Sequence, residues 1–424
     1  MENFPGKNIP TPSYQLPTTV FMKIGIVSNL YPPSERGGAE LIAQRVADEL
    51  FSRGHDVFVI TTMPFAGMKS LFPRVTEHYV ERVYRFFPLN LYHLFSASKF
   101  PYFFRLIWHA VDLFGPFPKS VLTSVLSEEK PDVVFTHNLK GLGLSASLEI
   151  QKMGIRHIHT IHDVQLSVPS GILVCNKKEN HGRTSLFQRL YEKATKHAIG
   201  SPDVVISPSN FLAEFYQARN FFPNSEVRVI PNPTPKYVSR EERGVVSPNG
   251  PIRFLFVGQI EEHKGIGVLL NAVNNLSFPF ELHIAGEGTE VPSVVKKTKL
   301  DSRIIFHGFI SLEHIRKLMR NCDCVVLPSM CYENSPTVIY ESFQVGTPVI
   351  ASKIGGIPEL VTDGENGLLV EPGNAVALAD ILTKFEKERA GFWNKTREIQ
   401  KSAERFSLKK YVDELERIAL KNYT

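Results

Sequence analysis

Two successive series of short apolar runs, each run parted from the next by a longer amphipathic segment, constrain this chain more than any other feature. The first series is Lys23 to Ser28, Asp56 to Thr61, Val133 to Thr136, His157 to Ile161 and Val204 to Ser207. The second is Ile252 to Val257, Phe280 to Ala285, Ile304 to His307, Cys324 to Pro328 and Pro348 to Ala351. Runs of this length, rich in β-branched and aromatic residues, read as strands, and the segments between them are long enough for helices. Ala39 to Phe51, amphipathic and closed by Gly54, is one such helix. Alternating strand and helix builds an open parallel sheet, so the expected fold class is α/β with two Rossmann-like, doubly wound domains in tandem.

A length of 424 residues agrees with two to three domains. Pro231-Asn232-Pro233-Thr234-Pro235 and the charged stretch to Gly250 form the expected joint. The expected division is a prefix at 1–21, a first domain at 22–230, a linker at 231–250, a second domain at 251–400 and a terminal helix at 401–424. The prefix has no cationic segment followed by an apolar run, which predicts no signal peptide and a cytoplasmic protein. Met22, just before the first strand, is the expected start of the folded chain and a candidate translation start. Cys175, Cys322, Cys324 and Cys331 offer no disulfide framework and no second pair for zinc, so no metal site is expected.

Charge is uneven along the chain. Residues 1–200 carry 22 Lys and Arg against 16 Asp and Glu, and the rest carry 26 against 27. The basic first half suits an anionic membrane or an anionic acceptor, and the excess is too small to predict nucleic-acid binding. Residues 85–118 concentrate Phe, Tyr and Trp108 with Arg85, Lys99, Arg105 and His109, and are too interrupted by charge and proline to span a bilayer. Two readings stay open for them: an interfacial element beside a lipid-borne substrate, or helices whose aromatics fill the first core.

The window CYENSPTVIYESFQVGTPV carries the clearest chemistry. Ser335 and Pro336 read as N-cap and first turn, and Gly346 as the stop, predicting a helix over 336–345. Glu333 then precedes the helix and Glu341 lies within it. Eight positions at the helical rise part the two carboxylates by roughly 12 Å. A glycosidase pair needs about 5 to 9.5 Å, so the spacing suits a long ligand touched at two places rather than a hydrolytic pair. The exposed backbone N–H groups of the 335–337 turn, with Asn334 before them, lie between the two carboxylates, where an anion fits.

Ligands of open parallel sheets bind beyond the strand C-termini, which singles out further loops. Gly37 and Gly38 follow the first strand, Gly258, Gln259 and Lys264 follow Ile252 to Val257, and Gly286 and then Gly308 with Phe309 follow the next two. His137 with Asn138, and His162 with Asp163, end strands of the first series and are acceptor-side candidates. No GxGxxG follows a strand, which argues against a nicotinamide enzyme, and no lysine stands out as a pyridoxal Schiff base.

Taken together and in order, these residues resemble the glycosyltransferase family 4 pattern of the GT-B fold. Gly37-Gly38-Ala39-Glu40, Thr160 to Asp163, Ser207-Pro208-Ser209, Ile230-Pro231-Asn232, Gly258 and Lys264-Gly265 carry it in one stretch. Gly286, Gly288, Glu333 with Glu341, Gly346 to Val349, Gly355-Gly356, Pro358-Glu359 and Asn366-Gly367 complete it. The resemblance implies transfer of a sugar, with retention and no cofactor or essential metal, from a nucleoside diphosphate sugar (UDP- or GDP-sugar) to a glycan or lipid-linked saccharide. It implies that Glu333 holds donor sugar hydroxyls, Glu341 the ribose, and Lys264, Gly38 and the 335–337 amides the diphosphate. His162 would stand near the reacting carbon and Gly308-Phe309 would flank the base. The second domain would take the donor and the first the acceptor, with Phe406 to Leu420 crossing back as a helix. The family usually carries arginine where this chain has Gln259, with Arg253, Arg36 or His263 as candidate substitutes. The alternative is a catalytically weak relative that binds nucleotide or glycan without turnover.

Overall fold

Strands buried on both faces need helices on both faces, and the alternation of side chains along β1 shows how this chain meets that demand. The structure, a computed structural model, describes residues 21–34, 38–78, 81–94, 100–115, 117–175, 186–234 and 250–421. Nearly all of the expected prefix, Arg36 and Gly37, and 235–249 of the expected linker lie outside the described residues.

The first sheet contains β1 (Lys23–Val27), β2 (Asp56–Thr62), β3 (Arg74–His78), β4 (Glu81–Phe86), β5 (Val133–Thr136), β6 (Arg156–Thr160), β7 (Val204–Ser207) and β8 (Glu226–Val229). Their order is β3-β4-β2-β1-β5-β6-β7-β8, parallel except where β3 runs against β4. Its helices are α1 (Gly38–Ser52), α2 (Tyr102–Phe114), α3 (Phe117–Glu129), α4 (Ala146–Lys152), α5 (Leu186–Ile199) and α6 (Asn210–Gln217). Ile24 and Ile26 pack with Ile42 and Val46 of α1, whereas Val27 packs on the opposite face with Leu122 of α3, Ile150 of α4 and Leu212 of α6.

The second sheet contains β9 (Ile252–Val257), β10 (Phe280–Ala285), β11 (Ile304–Gly308), β12 (Cys324–Leu327), β13 (Val349–Ser352) and β14 (Gly367–Val370). It is parallel throughout, in the order β11-β10-β9-β12-β13-β14. Helices α7 (Ile266–Val273), α8 (Val291–Thr298), α9 (Leu312–Asn321), α10 (Thr337–Gln344), α11 (Ala375–Asn394) and α12 (Thr396–Ala403) accompany it. The expected strands all form, within a residue or so of the bounds read from sequence. β3, β4, β8 and β14 were not expected: the first three carry charges that interrupt the apolar pattern, and β14 starts at a glycine after a turn.

The last helix, α13 (Leu408–Leu420), lies on the first sheet's side of the molecule. Phe406 belongs to the second core and packs against Tyr340 with ring centroids 4.3 Å apart, while Leu408 already belongs to the first core, so the chain passes between cores within three residues. Tyr411, Val412 and Leu415 join Ile24 and Ile42, and Arg53 of α1 pairs with Asp413 at 2.7 Å and Glu416 at 2.8 Å. Thr234 N–H donates to the Phe406 carbonyl at 2.7 Å, tying the two crossings together.

Residues 85–118 fill the first core only in part. Trp108 is buried, donates Nε1–H to the Tyr92 carbonyl at 2.8 Å and stacks on Tyr92, while Phe103, Phe104 and Ile107 of α2 face solvent. Among the described residues no helix is long and apolar enough to cross a membrane.

Candidate active site

The loop between β12 and α10 hangs between the C-terminal ends of both sheets, and backbone contacts hold it there. Met330 and Cys331 N–H groups donate to the His263 carbonyl at 2.9 and 3.1 Å, and Tyr332 N–H donates to Leu173 of the other sheet's loop at 2.8 Å. Gly356 N–H donates to the Glu333 carbonyl at 2.7 Å. A Cβ on Gly355 would lie 2.2 Å from that same carbonyl oxygen, and one on Gly356 would lie 2.0 Å from the Asn334 carbonyl oxygen. The two glycines are therefore needed so that one backbone can lie against the other.

Ser335 and Pro336 depart from their expected roles. Helix α10 starts at Thr337 with Pro336 as its extended N-cap residue, and the Ser335 hydroxyl bonds to the Tyr340 hydroxyl rather than to a helix N–H. The first N–H groups of α10 therefore have no side-chain cap. Across the cavity stands the start of α1: a Cβ on Gly38 would be 3.9 Å from the Thr337 methyl. Two helix N-termini, each with a partial positive charge and that of α10 without a side-chain cap, thus converge on one volume.

That volume is a cavity of about 520 Å³. Gly38, Asn138, His162, Asp163, Gly258, Gln259, Lys264, Glu333, Asn334, Ser335, Pro336 and Thr337 all line it. Sequence reasoning placed each of these as a site candidate. Past Val257, Gly258 and Gln259 it leads into a second cavity of about 810 Å³, bounded by His263, Gly286, Gly288 and Phe309, the last of them 76% exposed. Gly308 precedes Phe309 at the end of β11, with φ +66°.

Lys264 Nζ lies 2.6 Å from Glu333 Oε1, which also accepts from the Ser329 hydroxyl at 2.9 Å. Burial opposes the charge on Lys264, but the Glu333 carboxylate outweighs it, and the amine is held above the ordinary lysine range. The cation is thus secured on the wall of the first cavity.

His162 Nε2 bonds to His137 Nδ1 at 3.0 Å with the rings stacked, which leaves His162 Nδ1 for a ligand. Burial pushes His162 down to about 4 and His137 well below its usual range, so both are neutral near pH 7 and one donates to the other. Burial also pushes Asp163 up to about 6, with the Gln165 N–H opposing and Glu40 adding to the rise. Asn138 Oδ1 accepts from the Gln165 amide, and Asn334 Nδ2 donates to the His162 carbonyl at 3.0 Å, across the cleft.

Not every candidate joins this cluster. Glu341 lines neither cavity: burial raises its carboxyl, and Arg45 of α1 and Arg316 of α9 oppose the rise. Arg253 sits at the start of β9, the strand end remote from Gly258, and bonds Glu281 at 3.1 Å, so it cannot substitute for the arginine that Gln259 replaces. Arg36 and Gly37 lie outside the described residues. Glu359, quoted above only within the family pattern, is a cap on the other half: it accepts from Asn210 N, Asn210 Nδ2 and Phe211 N of α6 at 2.8, 3.0 and 2.8 Å. Phe211 in turn stacks on Tyr332 at 5.5 Å.

Of the lining residues that were not site candidates, two are polar, Glu40 and Asn232. Both stood in the motifs already quoted, and Asn232 Nδ2 donates to the Ser335 carbonyl at 3.3 Å, steadying the loop ahead of α10.

Comparison with known proteins agrees with this architecture. The family described as Glycosyl transferases group 1 matches residues 239–406, and Glycosyltransferase Family 4 matches residues 36–235. A putative teichuronic acid biosynthesis glycosyltransferase of Bacillus subtilis is 25% identical, over 87% of this chain and 90% of that protein. The glycogen synthase of Mycobacterium tuberculosis is 26% identical, over 84% of each. The sucrose-phosphate synthase structure from Thermosynechococcus elongatus superposes with a TM-score of 0.73 at 18% identity, covering 95% of this chain and 99% of that one. Anabaena HepE, solved in complex with UDP, superposes at 0.65 with 20% identity, covering 93% and 99%. With two matched families that between them take in both sheets, and a GT-B architecture around one cleft, the chain belongs to the group 1 glycosyltransferases of the family 4 type.

Proposed function

We propose that this glycosyltransferase moves a hexosyl residue from a nucleoside diphosphate sugar, UDP- or GDP-linked, to a glycan or lipid-linked saccharide with retention at the anomeric carbon, in polysaccharide or glycolipid assembly. The observation that carries the reading is the convergence of Lys264, Glu333 and the N-termini of α1 and α10 on one cavity that opens into a second beside Phe309. A sugar, a diphosphate and a nucleoside fit that succession of environments. Relatives of the same fold have been solved with UDP-glucose and with ADP and acarbose, which supports a nucleotide donor and a glycan acceptor.

In this mechanism the diphosphate lies between Lys264 and the two helix N-termini, Glu333 takes sugar hydroxyls, and His162 Nδ1 approaches the ring near the reacting carbon. The bond from the anomeric carbon to the phosphate oxygen breaks as the acceptor oxygen attacks the same face. The acceptor proton passes to the departing phosphate. The protein's task is to stabilise the charge developing on that phosphate, which preorganised N–H groups and an ammonium do well in a site shielded from water. No cofactor takes part. An acceptor borne on lipid would bring the protein to the cytoplasmic face of an anionic membrane as a peripheral enzyme.

The test is a thermal-shift series with UDP, GDP, ADP and TDP, followed by donor turnover with the nucleotide that binds. A ligand at 100 times its dissociation constant adds about 2.7 kcal/mol of apparent stability. Absence of a shift with all four would overturn the donor reading. Gln259 favours a second reading, a binder without turnover. A clear nucleotide shift with neither transfer nor donor hydrolysis would select it.

A further inference from the structure

We propose that the exposed face shared by α2 and α5 docks this protein on an anionic bilayer and there presents a lipid-linked acceptor to the Asp163 side of the cavity. The proposal rests on the transfer reading for its acceptor and goes beyond it in assigning a surface, its chemistry and its route to the site.

Helices α2 and α5 touch each other. Phe103, Phe104 and Ile107 face solvent on the first, with Phe103 65% exposed, and Leu186, Phe187 and Leu190 on the second, with Leu186 75% exposed. Single exposed apolar residues are ordinary on a protein surface, but six on two touching helices make a patch. On the second sheet's side the exposed Phe309 belongs to the second cavity, and Leu300, Leu312 and Val376 lie on separate elements.

Charge decides what kind of partner covers the patch. Among the described residues of the two helices, the exposed Lys and Arg side chains are Arg105, Arg189 and Lys193, and no carboxylate is exposed. The carboxylates, Asp112 and Glu192, are buried, accepting from Gly141 N–H at 2.8 Å and from the Ser167 hydroxyl at 2.6 Å. An apolar face ringed by cations is what an anionic bilayer interface attracts. A second copy meeting the same face about a twofold axis would set like charges against each other.

The face also lies against the acceptor side. Tyr191 of α5 donates its hydroxyl proton to the Gln165 carbonyl at 2.9 Å, and the Gln165 amide donates to Asn138, which lines the cavity with Asp163. Beneath α2, Trp108 is locked between Tyr92 and the helix, so the face is a packed surface rather than a loose arm.

The test is sedimentation of the full chain with vesicles of phosphatidylcholine alone and of phosphatidylcholine with phosphatidylglycerol, at low and high salt. Binding is expected for the anionic vesicles and is expected to weaken with salt. Phe103→Ser combined with Phe187→Ser should lower the partition coefficient about tenfold or more. Arg105→Gln with Lys193→Gln should remove much of the salt-sensitive part. Both pairs should keep the unfolding temperature and the nucleotide-induced thermal shift of the parent protein. Failure to bind anionic vesicles overturns the proposal, as does equal binding by the Phe103/Phe187 variant. A concentration-dependent dimer that is lost in that variant overturns it too, in favour of a self-association face. Vesicle binding in a protein that shows no nucleotide shift would leave the docking face standing and count against the transfer reading instead.

Discussion

Lys264 Nζ and Glu333 Oε1, 69 residues apart in sequence, meet at 2.6 Å on the wall of the first cavity. The cation proposed to receive a diphosphate is here held by the carboxylate proposed to take the sugar beside it. Lys264→Ala should lower turnover by at least one order of magnitude, each tenfold being about 1.4 kcal/mol of transition-state stabilisation. It should also cost stability, because Glu333 would stay half-buried without its partner. Lys264→Met with Glu333→Gln should recover stability and leave turnover low, a separation that unfolding temperatures and donor consumption measured on one set of variants would reveal.

Glu359 caps α6 from the opposite half of the molecule, so its removal should do two things at once. Glu359→Ala should lose about 1 kcal/mol of stability, as caps do, and raise the donor KM by loosening the alignment of the halves. A lowered melting point with an unchanged KM would limit its role to the cap.

Gly355 leaves no room for a side chain over the Glu333 carbonyl and has φ +61°. Gly355→Ala should therefore displace Glu333 and reduce kcat about tenfold or more, since small misplacements of a positioning group are costly. Steady-state kinetics on a variant shown to be folded by circular dichroism would check this.

Asp163 sets a pH dependence whose sign follows from its burial. Its carboxyl is raised from 3.8 to about 6, so the proton is held more tightly in the folded state. The resulting stability is complete below about 3.8 and is lost as pH rises through about 6. His162 works the other way: depressed from 6.5 to about 4, it adds stability present above 6.5 and lost as pH falls through about 4. Asp163→Asn should accordingly gain in melting temperature over the parent protein between pH 4 and 7. A constant difference across that range would refute the assignment.

Gln259 is exposed at the junction of the cavities, and Arg253 is bound to Glu281 at the far end of its strand. Restoring a guanidinium there should strengthen the hold on the donor diphosphate, because arginine adds charge and a bidentate fork. Gln259→Arg is expected to lower the donor KM several-fold, as isothermal titration with the nucleoside diphosphate would also show.

Much of the fold was legible because it is written locally. A short β-branched run between helix-length segments has few other ways to bury itself, and the strands from β1 to β13 that had this pattern appear within a residue or so of their expected bounds. β3, β8 and β14 are edge strands, and β4 lies next to an edge. Their charged or glycine-led sequences become strands only because a neighbour's ladder is available.

The sequence by itself determined which loops carry the chemistry: glycines, a lysine, histidines and a glutamate after strand C-termini are local patterns, and the parallel sheets turn all those ends to one cleft. Tertiary structure alone decided how they meet. Lys264 pairs with Glu333, His162 turns one nitrogen to His137, Glu341 faces Arg45 and Arg316 instead of either cavity, and Glu359 serves a helix 149 residues earlier in the chain. Periodicity and spacing fix which face of an element a side chain takes. Distances between groups far apart in sequence follow only when two cores and the crossings at Thr234 and Phe406 have been packed together.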